Sequence, residues 1–294
     1  MTKVAIIGGS QGYRLLSEQA FVGAGFQAPP QQMPPIETPF GFSPPIHKLP
    51  IGEADVYFLS RHGEAGYSVS APFVNYRANI WALKELGVQR IVAWSGPGAI
   101  SPDIPIGDIL VPGDLIDETR ARAYTFFEGL GIGFIRQNPV FCPCLASSLK
   151  HAILDRLGHC RTEDVYVCTE GPRLETRAEI RKYAANGATL VGMTLIPEAF
   201  LAKELEMCYC PVCYVTNYAE GVVERAYRPG ELFEGLLSAD EKTAVDAAVT
   251  AIPEIALRAL LGSDGEPNCL CHLSMERYRR RGDIGPDWHT WIAR

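Results

Sequence analysis

The feature that most constrains this chain is a repeated succession: a short β-branched or aromatic run, a turn of small and polar residues, then a stretch of helical periodicity. Val4-Ala-Ile-Ile7 runs into Gly8-Gly9-Ser10-Gln11-Gly12, and Asp55-Val-Tyr-Phe-Leu59 into Ser60-Arg61-His62-Gly63. Arg90-Ile-Val-Ala-Trp94 likewise meets Ser95-Gly96-Pro97-Gly98, and Asp164-Val-Tyr-Val-Cys168 meets Thr169-Glu170-Gly171-Pro172-Arg173. Such alternation predicts an α/β fold with a twisted, mainly parallel mixed sheet flanked by helices. In such sheets ligand groups collect beyond the carboxyl ends of the strands, which is where the polar turns fall.

Helical periodicity covers Asn75 to Leu86 before Gly87, Ala178 to Ala185, Pro197 to Leu205, and Ala239 to Leu261 before Gly262. Further strands are expected at Thr189–Gly192 and Pro211–Thr216. The proline-dense stretch from Gln27 to Pro50 reads as an extended excursion, with Phe40-Gly41-Phe42 lying along a sheet edge. These elements make one domain over 1–262, followed by a C-terminal extension over 263–294. The extension holds Arg277, Arg279, Arg280, Arg281, Trp288 and Trp291, and reads as a solvated arm with aromatic anchors packed on the body or a neighbouring subunit.

A formal charge of −7 argues against a nucleic-acid partner. No apolar run approaches the roughly 18 to 20 residues of a membrane span, so the chain reads as cytoplasmic with no membrane contact. Seven of its nine cysteines fall in the clusters Cys142/Cys144, Cys208/Cys210/Cys213 and Cys269/Cys271. Only Cys210 and Cys213 have the Cys-x-x-Cys spacing of zinc ribbons, so no metal is expected. The cysteines read as small apolar residues of buried strands. Disulfides between the 142/144 and 208/210 clusters, or within Cys269 and Cys271, are the alternative.

The strand ends offer Ser10, Arg61, His62, Ser95 and Thr194: hydroxyls, a guanidinium and an imidazole suited to holding phosphate. His62 has no second histidine or carboxylate at metal-ligand spacing, and beside Arg61 it reads as an anion ligand. The early glycine turn lacks the Gly-x-Gly-x-x-Gly order of a nicotinamide-binding fold.

Seven ordered stretches carry a family resemblance. They are Ala5-Ile-Ile-Gly-Gly-Ser10, Arg61-His62-Gly63, Val74-Asn-Tyr-Arg-Ala-Asn-Ile-Trp-Ala-Leu83, Glu170-Gly-Pro-Arg173, Val191-Gly-Met-Thr194, Pro197-Glu-Ala199 and Thr216-Asn217-Tyr218. The chain resembles methylthioadenosine phosphorylases, within the purine nucleoside phosphorylase superfamily, up to about Leu261. The resemblance implies a nucleoside phosphorylase-like fold, a homotrimer, and a pentosyltransferase that splits purine nucleosides with inorganic phosphate as co-substrate and no cofactor. By the same resemblance Ser10, Arg61, His62, Ser95 and Thr194 hold phosphate, Met193 lies against the ribose and Gly96 near the nucleoside. His62 and Asn217 are the expected catalytic residues.

Two residues speak to the leaving base. Asn217 carries both a donor and an acceptor, so it can donate to O6 and accept from a protonated N7. Adenosine-selective members resembling this chain tend to have aspartate there and an acidic residue two positions on, where this chain has Ala219. Glu175 resembles the glutamate by which 6-oxopurine phosphorylases accept the N1 proton, which adenine lacks. Together they point to a 6-oxopurine nucleoside such as inosine, guanosine or methylthioinosine. An adenine-selective methylthioadenosine phosphorylase and a catalytically silent relative are the alternatives. Three departures bear on them: Leu174 replaces an aromatic that would face the purine, Gln11 replaces a glycine, and the segment after Gly63 lacks a second histidine.

Overall fold

The computed structural model describes residues 2–12, 29–64, 66–226, 229–262 and 268–292. The first residues of the proline-dense stretch and of the C-terminal extension lie outside the described residues. Strand β1 (Lys3–Gly8) is buried from Val4 onward and pairs in parallel with β6 (Ala54–Ser60) on one side and β7 (Val88–Ser95) on the other. β13 (Cys208–Tyr214) continues the parallel set beyond β7. Their near-continuous apolar sequences are those of strands covered on both faces. Register aligns Gly8 with Ser60 and Ser95 with Cys213, so the polar turns expected from the sequence leave the sheet side by side.

Antiparallel strands flank this core: β5 (Ile46–Ile51) with the short β2 (Gln31–Met33) at one edge, and β9 (Ile109–Leu110) at the other. The edge is thus β2, not the Phe40–Phe42 segment. That segment belongs to a separate hairpin of β3 (Glu37–Thr38) and β4 (Gly41–Phe42), while Phe40 packs on Trp81 and Phe126 at 5.8 and 5.3 Å between ring centroids. Phe40 is partly buried there, packed against the main core. β13 also starts three residues before Pro211. Proline is tolerated there because β9 reaches only Cys213 and Tyr214, leaving β13 an edge at that level.

A second sheet contains β10 (Asp114–Glu118), β11 (Val165–Thr169), β12 (Leu190–Gly192), β8 (Gly98–Ala99) and β14 (Asn217–Tyr218), in that order. β8 and β14 continue the paths of β7 and β13, so two chain segments pass directly from one sheet into the other. The Thr216 amide donates to Pro97 O at 3.0 Å and ties these two crossings together.

Helices cover the sheets. Asn75 caps α1 (Tyr76–Glu85) by accepting from the Ala78 amide, and α2 (Pro143–Leu157) ends at Gly158 in the left-handed region. The sequence reading does not single out α2, whose small and polar first turns obscure the buried stripe of Leu145, Leu149, Ala152 and Ile153. α3 (Arg177–Ala185) and α5 (Ala239–Leu261) each open with a capping box, Thr176/Glu179 and Ser238/Glu241. α4 (Glu198–Glu204) packs against α1 and β13. The extension folds back on the body through α6 (Glu276–Arg281): Met275, Tyr278 and Trp291 enter the main core, Trp288 lies edge-on to Trp81, and Arg279 pairs with Glu206. Among the described residues, no helix is long and apolar enough to cross a membrane.

Candidate active site

The parallel register brings the turns after β1, β6 and β7 together. A Cβ on Gly9 would stand 2.7 Å from Trp94 O and 3.7 Å from an Arg61 guanidinium nitrogen, so this turn closes on its neighbours only because Gly9 has no side chain. Ser10 follows, half-buried. Ser95 at the end of β7 meets Thr194 from beyond β12: their hydroxyl oxygens lie 3.2 Å apart, and the Tyr166 hydroxyl stands 3.2 Å from Ser95 Oγ. Two sheets therefore contribute to one hydroxyl cluster. Tyr166, hidden in the sequence as an ordinary strand aromatic, reaches the cluster because Gly192 leaves room; a Cβ there would fall 1.9 Å from its hydroxyl.

Arg61 has a more internal position than its sequence context conveys. Its side chain is wholly excluded from solvent and donates through Nε and Nη2 to both oxygens of Glu198, each at 2.7 Å. Burial disfavours the guanidinium charge, yet the Glu198 carboxylate outweighs it and holds its pKa above the ordinary value. Nη1 donates to Trp94 O at 3.3 Å, beneath the Gly9 turn. Tyr209 also donates to Glu198, at 2.8 Å. Glu198 sits in the Pro197-Glu-Ala199 match, and its signal in the sequence was a lone acid among apolar neighbours.

His62 is buried beside Arg61. Its Nδ1 lies 2.8 Å from the Val69 carbonyl, which requires a proton on that nitrogen and leaves Nε2 as the acceptor of the neutral ring. Burial first, and the Arg61 charge second, push its pKa down to about 4 against the opposing Val69 bond. The imidazole stacks on the exposed ring of Tyr67, with 4.3 Å between centroids.

The residues expected to meet the nucleoside lie along one edge of the second sheet. Cys168 is in register with Gly192, Val191 with Gly98, and Gly98 with Asn217, so the ends of β11 and β12 and the starts of β8 and β14 form a row. Met193 and Thr194 follow Gly192, and Met193 packs against Gly171. Gly96 is exposed, with Thr216 close enough that a Cβ would meet it at 2.8 Å. Glu175 accepts a hydrogen bond from Thr169 at 2.6 Å. The helix-cap role open to a carboxylate in this run belongs to Glu179, which receives the Thr176 amide.

A cavity of about 200 Å³ opens beside Glu175, with Thr169, Glu170, Gly171 and Tyr183 among its walls; Asn217 is not one of them. Asn217 is half-buried, donating to Tyr218 O at 2.8 Å and accepting from the Thr216 hydroxyl at 2.6 Å. Leu174 is 37% exposed. Ala219 turns into the small second core with Val167 and Val191, and its amide donates to Ala99 O.

One buried cation escaped the sequence reading. Arg122, in the irregular stretch after β10, donates to the carbonyls of Met193, Ile196, Thr169 and Glu170. It staples the turns that leave β11 and β12, and so fixes where Met193 and Thr194 stand. Nothing local in its sequence marks it.

Residues 3–260 match the family described as the phosphorylase superfamily. The chain is 38% identical over 262 residues to the 6-oxopurine nucleoside phosphorylase of Pyrococcus furiosus, covering 87% of this chain and 94% of that protein. It is 40% identical over 237 residues to the probable S-methyl-5'-thioinosine phosphorylase of Methanopyrus kandleri, covering 80% and 86%. The fold matches the crystal structure of a methylthioadenosine phosphorylase from an antarctic soil metagenomic library with a TM-score of 0.76 and 32% identity, over 93% of this chain and 90% of that one. With a family match that runs from β1 to the end of α5 and reaches both sheets of the site, this chain belongs to the phosphorylase superfamily.

Proposed function

We propose that this chain catalyses phosphorolysis of purine nucleosides, releasing the free base and a ribose 1-phosphate, with preference for a 6-oxopurine. The observation that carries the reading is the meeting of Ser95 and Thr194 across two sheets, beside the glycine turn and His62, at the foot of an edge bearing Met193 and Asn217. Phosphate is held by Ser10, Ser95, Thr194 and the remaining donors of Arg61. His62 offers Nε2 to the P–OH of hydrogen phosphate, leaving more negative charge on the attacking oxygen. That oxygen bonds to C1′ as the glycosidic bond breaks through an oxocarbenium-like sugar, and the bonding pair leaves with the purine. N7 of the departing base takes up a proton from water; Asn217 exchanges its local partners for O6 and that N7–H, and Glu175 accepts from N1–H. Adenine has no N1 proton to offer Glu175.

The same reading includes inorganic phosphate as the sole co-reactant, no cofactor, a cytoplasmic location and a homotrimer. Exposed Tyr67 and Phe73, on the segment that follows His62, support association at this side of the site. An adenine-selective enzyme is the second reading, favoured by the methylthioadenosine phosphorylase fold match. A panel of inosine, guanosine, methylthioinosine, adenosine and methylthioadenosine, with and without phosphate, tests both by the base released. Phosphate-dependent hypoxanthine or guanine is the expected product. Adenine alone would overturn the base assignment, release without phosphate would make the protein a hydrolase, and calorimetric binding with no turnover would make it a silent relative.

A further inference from the structure

Away from the active site, four cysteines from distant parts of the chain converge. The sulfur atoms of Cys142, Cys208, Cys269 and Cys271 all lie within 4.8 Å of one another, and those of Cys208 and Cys269 are 3.4 Å apart. Cys142 is the N-cap of α2, Cys208 the first residue of β13, and Cys269 and Cys271 flank the exposed Leu270 in the C-terminal extension. All are free thiols, three buried and Cys271 partly so.

The spacing distinguishes two chemistries. Disulfide sulfurs sit ~2.05 Å apart. Four sulfurs around a tetrahedral zinc, with bonds of ~2.3 Å, stand ~3.8 Å from one another. The 3.4 Å between Cys208 and Cys269 is too long for a disulfide, and four sulfurs all within 4.8 Å of one another suit the second arrangement. Cys142 also sits at the amino end of a 15-residue helix, whose dipole favours a thiolate over a thiol. Soft thiolates in a closed shell of four select zinc over the harder divalent ions.

We propose that Cys142, Cys208, Cys269 and Cys271 form a tetrathiolate zinc site that clips the C-terminal extension to the body. With no paired Cys-x-x-Cys motifs, the sequence by itself points to no metal. That test assumes ligands grouped in sequence, whereas this set is assembled from three elements by the tertiary fold. Cys208 stands five residues before Cys213, the partner of Ser95, so the site lies ~16 Å down the strand from the hydroxyl cluster. Its role is therefore structural, and it holds the segment that places Met275, Tyr278 and Trp291 in the core.

The experiment is metal analysis of the full-length protein purified under reducing conditions without a metal-affinity tag, followed by exchange with cobalt. About one zinc per chain is expected, and cobalt should give the intense thiolate charge-transfer and visible bands of a tetrahedral sulfur shell. Cys269→Ser should cut zinc content at least tenfold and lower the thermal midpoint, while kcat for nucleoside changes less than twofold. Should that variant fail to fold, the cobalt spectrum of the unaltered chain decides. Iron in place of zinc, no metal and no cobalt bands, or an intact mass under non-reducing conditions lowered by the hydrogens that two disulfides remove would each overturn the assignment.

Discussion

The carboxyl ends of the first sheet and the edge of the second are built differently, although both face one site. At the first, Arg61, His62 and Ser95 are buried and held by partners from three other elements: Glu198 on α4, Val69 on the following loop, and Thr194 and Tyr166 from the second sheet. At the second, Leu174 is exposed, and Asn217 and Glu175 make hydrogen bonds to residues close in sequence. The side proposed to hold the anion is fixed by topology and by a buried ion pair. The side proposed to read the base rests on short-range contacts that a ligand can replace. Phosphate chemistry should therefore resist sequence change, while base preference should move with single substitutions.

The sharpest way to break this contrast is Glu198→Ala. Removing one member of a pair with no solvent access leaves Arg61 uncompensated and should cost about 3–5 kcal/mol of stability in denaturant unfolding. A loss under about 1 kcal/mol would show that the first sheet's end is not rigidly built.

His62 gives the next effect. Its folded pKa, about 4, lies below the ordinary 6.5, so the unfolded chain takes up the proton first as pH falls. The stability due to its burial is complete above about pH 6.5 and lost as pH drops through 4, by about 3 kcal/mol in all. His62→Gln should flatten that part of the pH–stability curve; an unchanged slope would remove His62 as its source.

Ser95→Ala and Thr194→Ala each delete one donor to a charged ligand, worth about 1.5–3 kcal/mol. KM for phosphate should rise roughly tenfold to a hundredfold, with the ratio of inosine to adenosine turnover unmoved. Asn217→Asp should do the reverse, moving that ratio about tenfold toward the 6-aminopurine and leaving phosphate KM in place, because one hydrogen-bond mismatch is worth about 1–2 kcal/mol. If both substitutions altered both parameters, the two regions would act as one unit. The smallest change is Leu174→Phe, where a ring able to lie on the purine should tighten nucleoside KM a few-fold, within the ~0.5–1.5 kcal/mol of an aromatic pair.

Local sequence carried much of this fold. The spans of α1, α3 and α5 and the four buried parallel strands are legible because propensity, periodicity and turn chemistry agree over a few neighbouring residues. The two-residue strands β8, β9 and β14 are not, since each is defined by the strand it pairs with. Nor could the sequence assign Glu198 and Arg122, whose carboxylate and guanidinium acquire meaning only from partners dozens of residues away. The cysteines are legible as clusters in the sequence, but not the convergence of Cys142, Cys208, Cys269 and Cys271, which crosses those clusters.

By itself, then, the sequence determined the alternation of strands and helices and the polar residues that each strand end delivers. The tertiary structure alone decided that Arg61 is held by Glu198, that Thr194 meets Ser95, and that four thiols share one point. The physical reason is range: backbone preference is set by adjacent residues, whereas the environment of a buried charge, hydroxyl or thiolate is set by whatever the completed fold brings against it.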